Sequence, residues 1–174
     1  MAVPASTTPC GVTKPSAHFT HTEISRRFSR LIGEISTYIE AERDIENAAS
    51  WDPAFLHWHR DAEAARSSVL SSIDHIRVSV PQRREDLPLK RMALLLFALI
   101  ESGSSIEFLR LAACLDRHDG LFACPGTGPV ARRVGAMLTA ARMQVADLTS
   151  LTALVDPLEI TAPDSDDDPV PVAA

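Results

Sequence analysis

Residues 92–109 read MALLLFALIESGSSIEFL, and the fold turns on what happens at Ser102-Gly103-Ser104-Ser105. Met92, Leu95, Leu96 and Leu99 lie on one helical stripe, and Ile106, Leu109 and Ala113 continue its register beyond the small residues. Ser104 and Glu107 also have the spacing of a capping box, which would start a new helix. The unbroken register favours one helix from near Leu87 to about Arg117, with a notch of small residues at Gly103.

Three other stretches share the helical period. From about Thr22 to Ala48 the stripe is Ile24, Phe28, Leu31, Ile35, Tyr38, Glu42, Ile45, with Thr22 as N-cap. The segment WDPAFLHWHRDAE at 51–63 opens the next helix. Asp52 suits the N-cap and Pro53 the first helical position, while Trp51 and Leu56 have the spacing of a hydrophobic staple. Its stripe, Phe55, His59, Ala62, Arg66, Val69, Ile73, Ile76, should end before Pro81. After the loop DGLFACPGTGP, Pro129 opens a last helix to about Val155, with Val130, Val134, Met137, Ala141, Val145, Leu148, Thr152 and Val155 inward. Four such helices, each about 40 Å long, joined by short connections, predict an all-α fold: an antiparallel up-down four-helix bundle over residues 20–155.

Flanking it, residues 1–19 are rich in Pro, Ser and Thr, and 156–174 are acidic, so both are expected to be disordered. The acidic tail (Asp156, Glu159, Asp164, Asp166, Asp167, Asp168) accounts for the whole net charge of −6, leaving a neutral body. A neutral body gives no general reason to bind nucleic acid, although local basic patches such as Arg83, Arg84, Lys90 and Arg91 exist. The longest apolar run, 92–100, is about half a membrane span, and the N-terminus has no apolar secretory core. Three cysteines, Cys10, Cys114 and Cys124, make no disulfide framework, and a cytoplasmic protein with free thiols is expected. Fifteen arginines against two lysines, with abundant alanine, point to a GC-rich bacterial genome on composition alone.

Candidate sites follow from this arrangement. Positions facing each other across a helical hairpin add to a constant. That rule sets Arg66 opposite Glu101 and level with Glu34, and brings Gln144 and Asp147 to the same height. A buried polar layer of Glu34, Arg66, Glu101 and Asp147 is therefore expected, either fixing helix register or lining a small-ligand pocket. His57 and His59 point about 200° apart on a helix and cannot share one metal, whereas His57 and Asp61 can share a face. The Glu-x-x-His pairs of di-iron bundles are absent. Cys114 and His118, at i and i+4, with Asp119 and Cys124 after them, are the one plausible zinc set. His118-Asp119 also resembles the paired ligands of the all-helical HD phosphohydrolases. That resemblance covers the dipeptide alone and implies metal ligation with His75 and Asp147 or Asp156.

No convergent catalytic set emerges. The expected function is that of a non-catalytic helical-bundle protein acting through protein–protein interaction, with another protein or a second copy of itself as partner. Tyr38, Trp58 and Phe108 are the expected surface aromatics. The alternatives are a zinc-dependent hydrolase or metal sensor at Cys114, His118, Asp119 and Cys124, and a ligand-binding regulator with its pocket at Glu34, Arg66 and Glu101.

Overall fold

A computed structural model describes residues 21–46 and 53–151, and all described secondary structure is helical. The elements are α1 Glu23–Glu46, α2 Phe55–Val78, α3 Asp86–Ile100, α4 Ser105–Ala112, α5 Cys114–Arg117 and α6 Pro129–Thr149, with a short 3-10 turn at Asp119–Leu121. The expectations for both tails, Cys10, Trp51, Asp52 and Asp156 fall outside the described residues.

Thr22 caps α1 as expected: its Oγ1 accepts from Ser25 N at 3.1 Å. Ile24, Phe28, Leu31, Ile35 and Tyr38 form the buried stripe. Helix α2 begins at Phe55 with Ala54 at the N-cap, two residues later than Pro53 suggests, and Leu56 is exposed. It ends at Val78, and Lys90 Nζ donates to the carbonyl of Ser79 beyond it at 2.9 Å. At the other end of the chain, Gly128 and Pro129 start α6 as the sequence predicts, with proline in the first turn, where its missing N–H costs nothing. Gly126 just before it has a φ of 99°, a conformation that favours glycine.

The one helix expected across Gly103 is two. Glu101 ends α3; Ser102 Oγ turns back to the Leu99 carbonyl at 2.7 Å; Ser104 is extended and its Oγ accepts from Glu107 N at 3.3 Å. The Glu107 carboxylate in turn accepts from Gly103 N at 3.2 Å. These local bonds offer the backbone an alternative to continuing the helix. The buried face is reset by the break: Ile106, which would follow Leu99 on one stripe, is exposed, while Phe108 and Leu115 are buried.

The bundle is built on α1, α2, α3 and α6, with α1 packed against α2, α3 and α6, and α3 against α2 and α6. Consecutive helices run antiparallel, but the break adds a reversal. The arm α4–α5 returns toward the start of α3, where Arg91 Nη1 donates to the Leu121 carbonyl at 3.1 Å. Helix α6 therefore starts at that end and runs in the direction of α1. Gln144 meets Ile32 and Ser36, and Asp147, further along, meets Arg43. The core between them is aliphatic, with Phe28, Phe108, Met92, Leu96, Leu99 and Leu148 fully buried.

Candidate functional site

The polar residues expected in one layer are distributed over three places. Arg66 and Glu101 do pair, Nη2 to Oε1 at 2.5 Å, and Arg66 also donates to the Ile100 carbonyl. Their side chains are 44% and 41% exposed, so the pair lies at the surface of the α2/α3 seam. Asp147 pairs with Arg43 at 3.3 Å on the α1/α6 side, with both groups about half exposed. Glu34 is held by Arg30 of its own helix at 2.9 Å. The buried polar group at this height is Gln144, whose Nε2 donates to the Ile32 carbonyl at 2.5 Å and to Ser36 Oγ at 2.9 Å.

The zinc set does not assemble. Among the described residues no three His, Cys, Asp or Glu side chains are placed to hold one ion. Cys114 Sγ donates to the carbonyl of Arg110 in its own turn, and Asp119 is taken up by Arg142. Cys124 lies against the start of α3, lining a cleft with Arg84, Leu87, Pro88 and Arg91. Burial, with Glu85 nearby, pushes the Cys124 thiol up, which disfavours the thiolate that zinc requires. The His118-Asp119 dipeptide gains no third ligand either.

The expected surface aromatics are mostly core. Tyr38 and Phe108 are buried, Tyr38 because it continues the α1 stripe and Phe108 because the break at Gly103 rotates α4. Trp58 is half-buried. His57 and His59 stand on the outside of α2, opposite Asp61 at 3.5 Å and Glu63 at 3.8 Å, so the crowded segment at 51–63 brings no ligands together.

Two neighbouring features on α2 are better formed. The first is a cleft of about 340 Å³ between α1 and α2. Its α1 wall is Arg27, Arg30 and Glu34; its α2 wall is Ser68, Ser71, Ser72 and His75. The α2 residues follow the i, i+3, i+4, i+7 spacing of one helix face, and the antiparallel run sets Arg27 level with His75 and Glu34 level with Ser68. Glu34 was thus expected within two residues of its true height, but two residues on a helix exchange Arg66 for Ser68 on the opposite face. The Glu34 carboxylate is 15% exposed, and while Oε1 holds Arg30, Oε2 is buried without a hydrogen-bond partner. A buried unsatisfied acceptor costs about 1–3 kcal/mol, so such an atom marks a place where a donor is wanted. His75 Nδ1 donates to the Ser71 carbonyl at 2.7 Å, which fixes the ring with Nε2 as its remaining nitrogen.

The second feature lies on the same half of α2. Ser67, Leu70, Ser71, Asp74, His75 and Val78 line a shallow groove of about 630 Å³. Val78 is 80% exposed and Val80, just beyond the helix, 79%. Asp74 and Arg77 pair at 2.8 Å beside them, and Arg77 stacks its guanidinium over Phe97 at 4.9 Å. Ser71 and His75 border both features. The sequence signal for this face was available: Val78 and Val80 continue the α2 apolar content past the stripe that ends at Ile76.

No helix among the described residues is long and apolar enough to cross a membrane. No family model matches this chain, and no curated protein or solved structure is significantly similar to it.

Proposed function

We propose that this chain is a non-catalytic helical-bundle module that works by binding another protein, and that the C-terminal half of α2 is the docking face. The observation that supports this reading is the pair Val78 and Val80, nearly bare beside the Leu70 groove. Two valines this exposed gain nothing for the fold, and burying each against a partner is worth about 1.5–3 kcal/mol. Their setting is uncharged in sum, since Asp74 and Arg77 neutralise each other, so the face suits an apolar ridge better than a charged one.

The test compares affinity capture by the wild-type chain and by a Val78→Asp, Val80→Asp double variant, with a differently tagged copy of the chain included to register self-association. Both positions are exposed, so the double variant should keep the wild-type melting temperature. Partners retained by the wild type and lost by the variant support the reading. The same set retained by both sinks it.

A further inference from the structure

We propose that the α1/α2 cleft is a binding site for a small zwitterion of the α-amino-acid class. The assignment rests on how its two ends differ. At one end Arg27 and Arg30 offer guanidinium donors. Arg27 spends Nε and Nη2 on Glu23, and Arg30 spends Nε on Glu34, so each keeps nitrogens that are not used in those pairs. Ser71 and His75 stand across from them on α2. This is donor chemistry for a carboxylate.

At the other end stands an acceptor. Glu34 is held in place by Arg30 through one oxygen, and its second oxygen is buried and unpartnered while lining the same cleft. A plain anion such as phosphate would be repelled there, and a plain cation would meet two arginines a turn away. A molecule with a carboxylate at one end and an ammonium at the other satisfies both, and Ser68 and Ser72 supply hydroxyls along its length. The volume of about 340 Å³ falls within the range of small-molecule sites. No group needs to move to create the charge pattern, because the two intrahelical ion pairs already fix it.

The test is isothermal titration of the full chain with each proteinogenic L-amino acid, then with acetate, methylamine and inorganic phosphate. At least one amino acid should bind saturably at one per chain, with a Kd of ~1 mM or tighter, and the half-molecules should not. Glu34→Gln, which keeps the shape and removes the charge, should weaken binding by about tenfold or more, as should Arg30→Gln. Ser68→Leu, which fills the cleft from the exposed α2 wall and leaves both charges in place, should abolish it. No saturable binding of any amino acid, unchanged affinity in Glu34→Gln, or phosphate binding in place of the amino acid would overturn the assignment. Because Val78 and Val80 are untouched in these variants, failure here leaves the docking face standing and its failure leaves the cleft.

Discussion

Thr22 and Asp86 tie the start of α1 to the start of α3. Thr22 Oγ1 donates to Asp86 Oδ1 at 2.6 Å, and both residues are buried. Asp86 Oδ2 accepts from the backbone N–H groups of Gln82 at 2.9 Å and Arg83 at 3.1 Å, so one carboxylate organises the α2–α3 connection and fastens it to another helix. Asp86→Ala would leave a buried hydroxyl and two N–H groups without their partner. The expected loss is about 2–4 kcal/mol, read from urea unfolding. Thr22→Val removes the α1 cap as well as the donor but leaves Asp86 its backbone bonds, so about 1–2 kcal/mol is expected. The two losses should be less than additive, because they share a bond; strict additivity in the double variant would mean that the bond contributes nothing.

The Arg66–Glu101 pair should be weak. Both side chains keep more than a third of their surface in water, where ion pairs are screened and worth about 0–1 kcal/mol. Glu101→Gln should therefore change stability by less than about 1 kcal/mol. Arg66→Met should cost somewhat more, since Arg66 also donates to the Ile100 carbonyl. A loss of about 3 kcal/mol or more from either single change is the signature of a buried pair, and would contradict the exposed geometry.

That pair shows what periodicity delivers and where it stops. The facing rule found the partner of Arg66 because α2 and α3 are joined by a short turn whose centre the prolines and charges at 81–86 betray. It did not find the partner of Glu34, because height along a hairpin is fixed by counting, whereas the face is fixed by rotation. A shift of two residues is only about 3 Å in height but about 200° around the axis. The same distinction governs Gly103. The apolar register crosses it undisturbed in sequence, yet the contest there is settled by hydrogen bonds from Ser102, Ser104 and Glu107 that a hydrophobic stripe does not report. Once the chain breaks, Phe108 turns inward and α4–α5 folds back, so α6 runs with α1. Capping chemistry predicted that outcome and hydrophobic register opposed it. The α1/α2 cleft was illegible for another reason: serines at 68, 71 and 72 read as a solvated face until Arg27, Arg30 and Glu34 are set opposite them.

The break can be tested where it is made. Ser104→Ala removes the acceptor for Glu107 N and should cost about 1 kcal/mol, the usual worth of an N-cap. Gly103 has no positive φ and a Cβ there would meet nothing closer than the Glu107 carboxylate at 4.0 Å, so Gly103→Ala should be nearly neutral. The double variant should lose about what Ser104→Ala loses alone, with unchanged helix content by circular dichroism. A rise in helicity with a gain in stability would show that α3 and α4 prefer to fuse, and that the reversal is not built into the fold.

Glu42 sets a pH dependence. Burial raises its pKa above the ordinary 4.5, an effect that the Tyr38 hydroxyl, His59 and Arg66 oppose but do not cancel and that Glu46 reinforces. The Tyr38 phenol beside it is pushed up, by burial first and Glu42 second, and so stays protonated and able to donate. A carboxyl whose folded pKa lies above its unfolded value favours the fold while protonated. That contribution is complete below about pH 4.5 and is lost as pH rises through the raised folded value. At neutral pH, then, the Glu42 charge works against the fold. Glu42→Gln keeps an oxygen to accept from Tyr38 and removes the charge, so it should raise the urea midpoint at neutral pH. Below about pH 4.5, where Glu42 is itself uncharged, the advantage should disappear. Urea midpoints of both proteins across that interval decide the matter: an advantage that persists in acid is not electrostatic, and a wild type more stable at neutral pH means that Arg66 and His59 outweigh the burial of the charge.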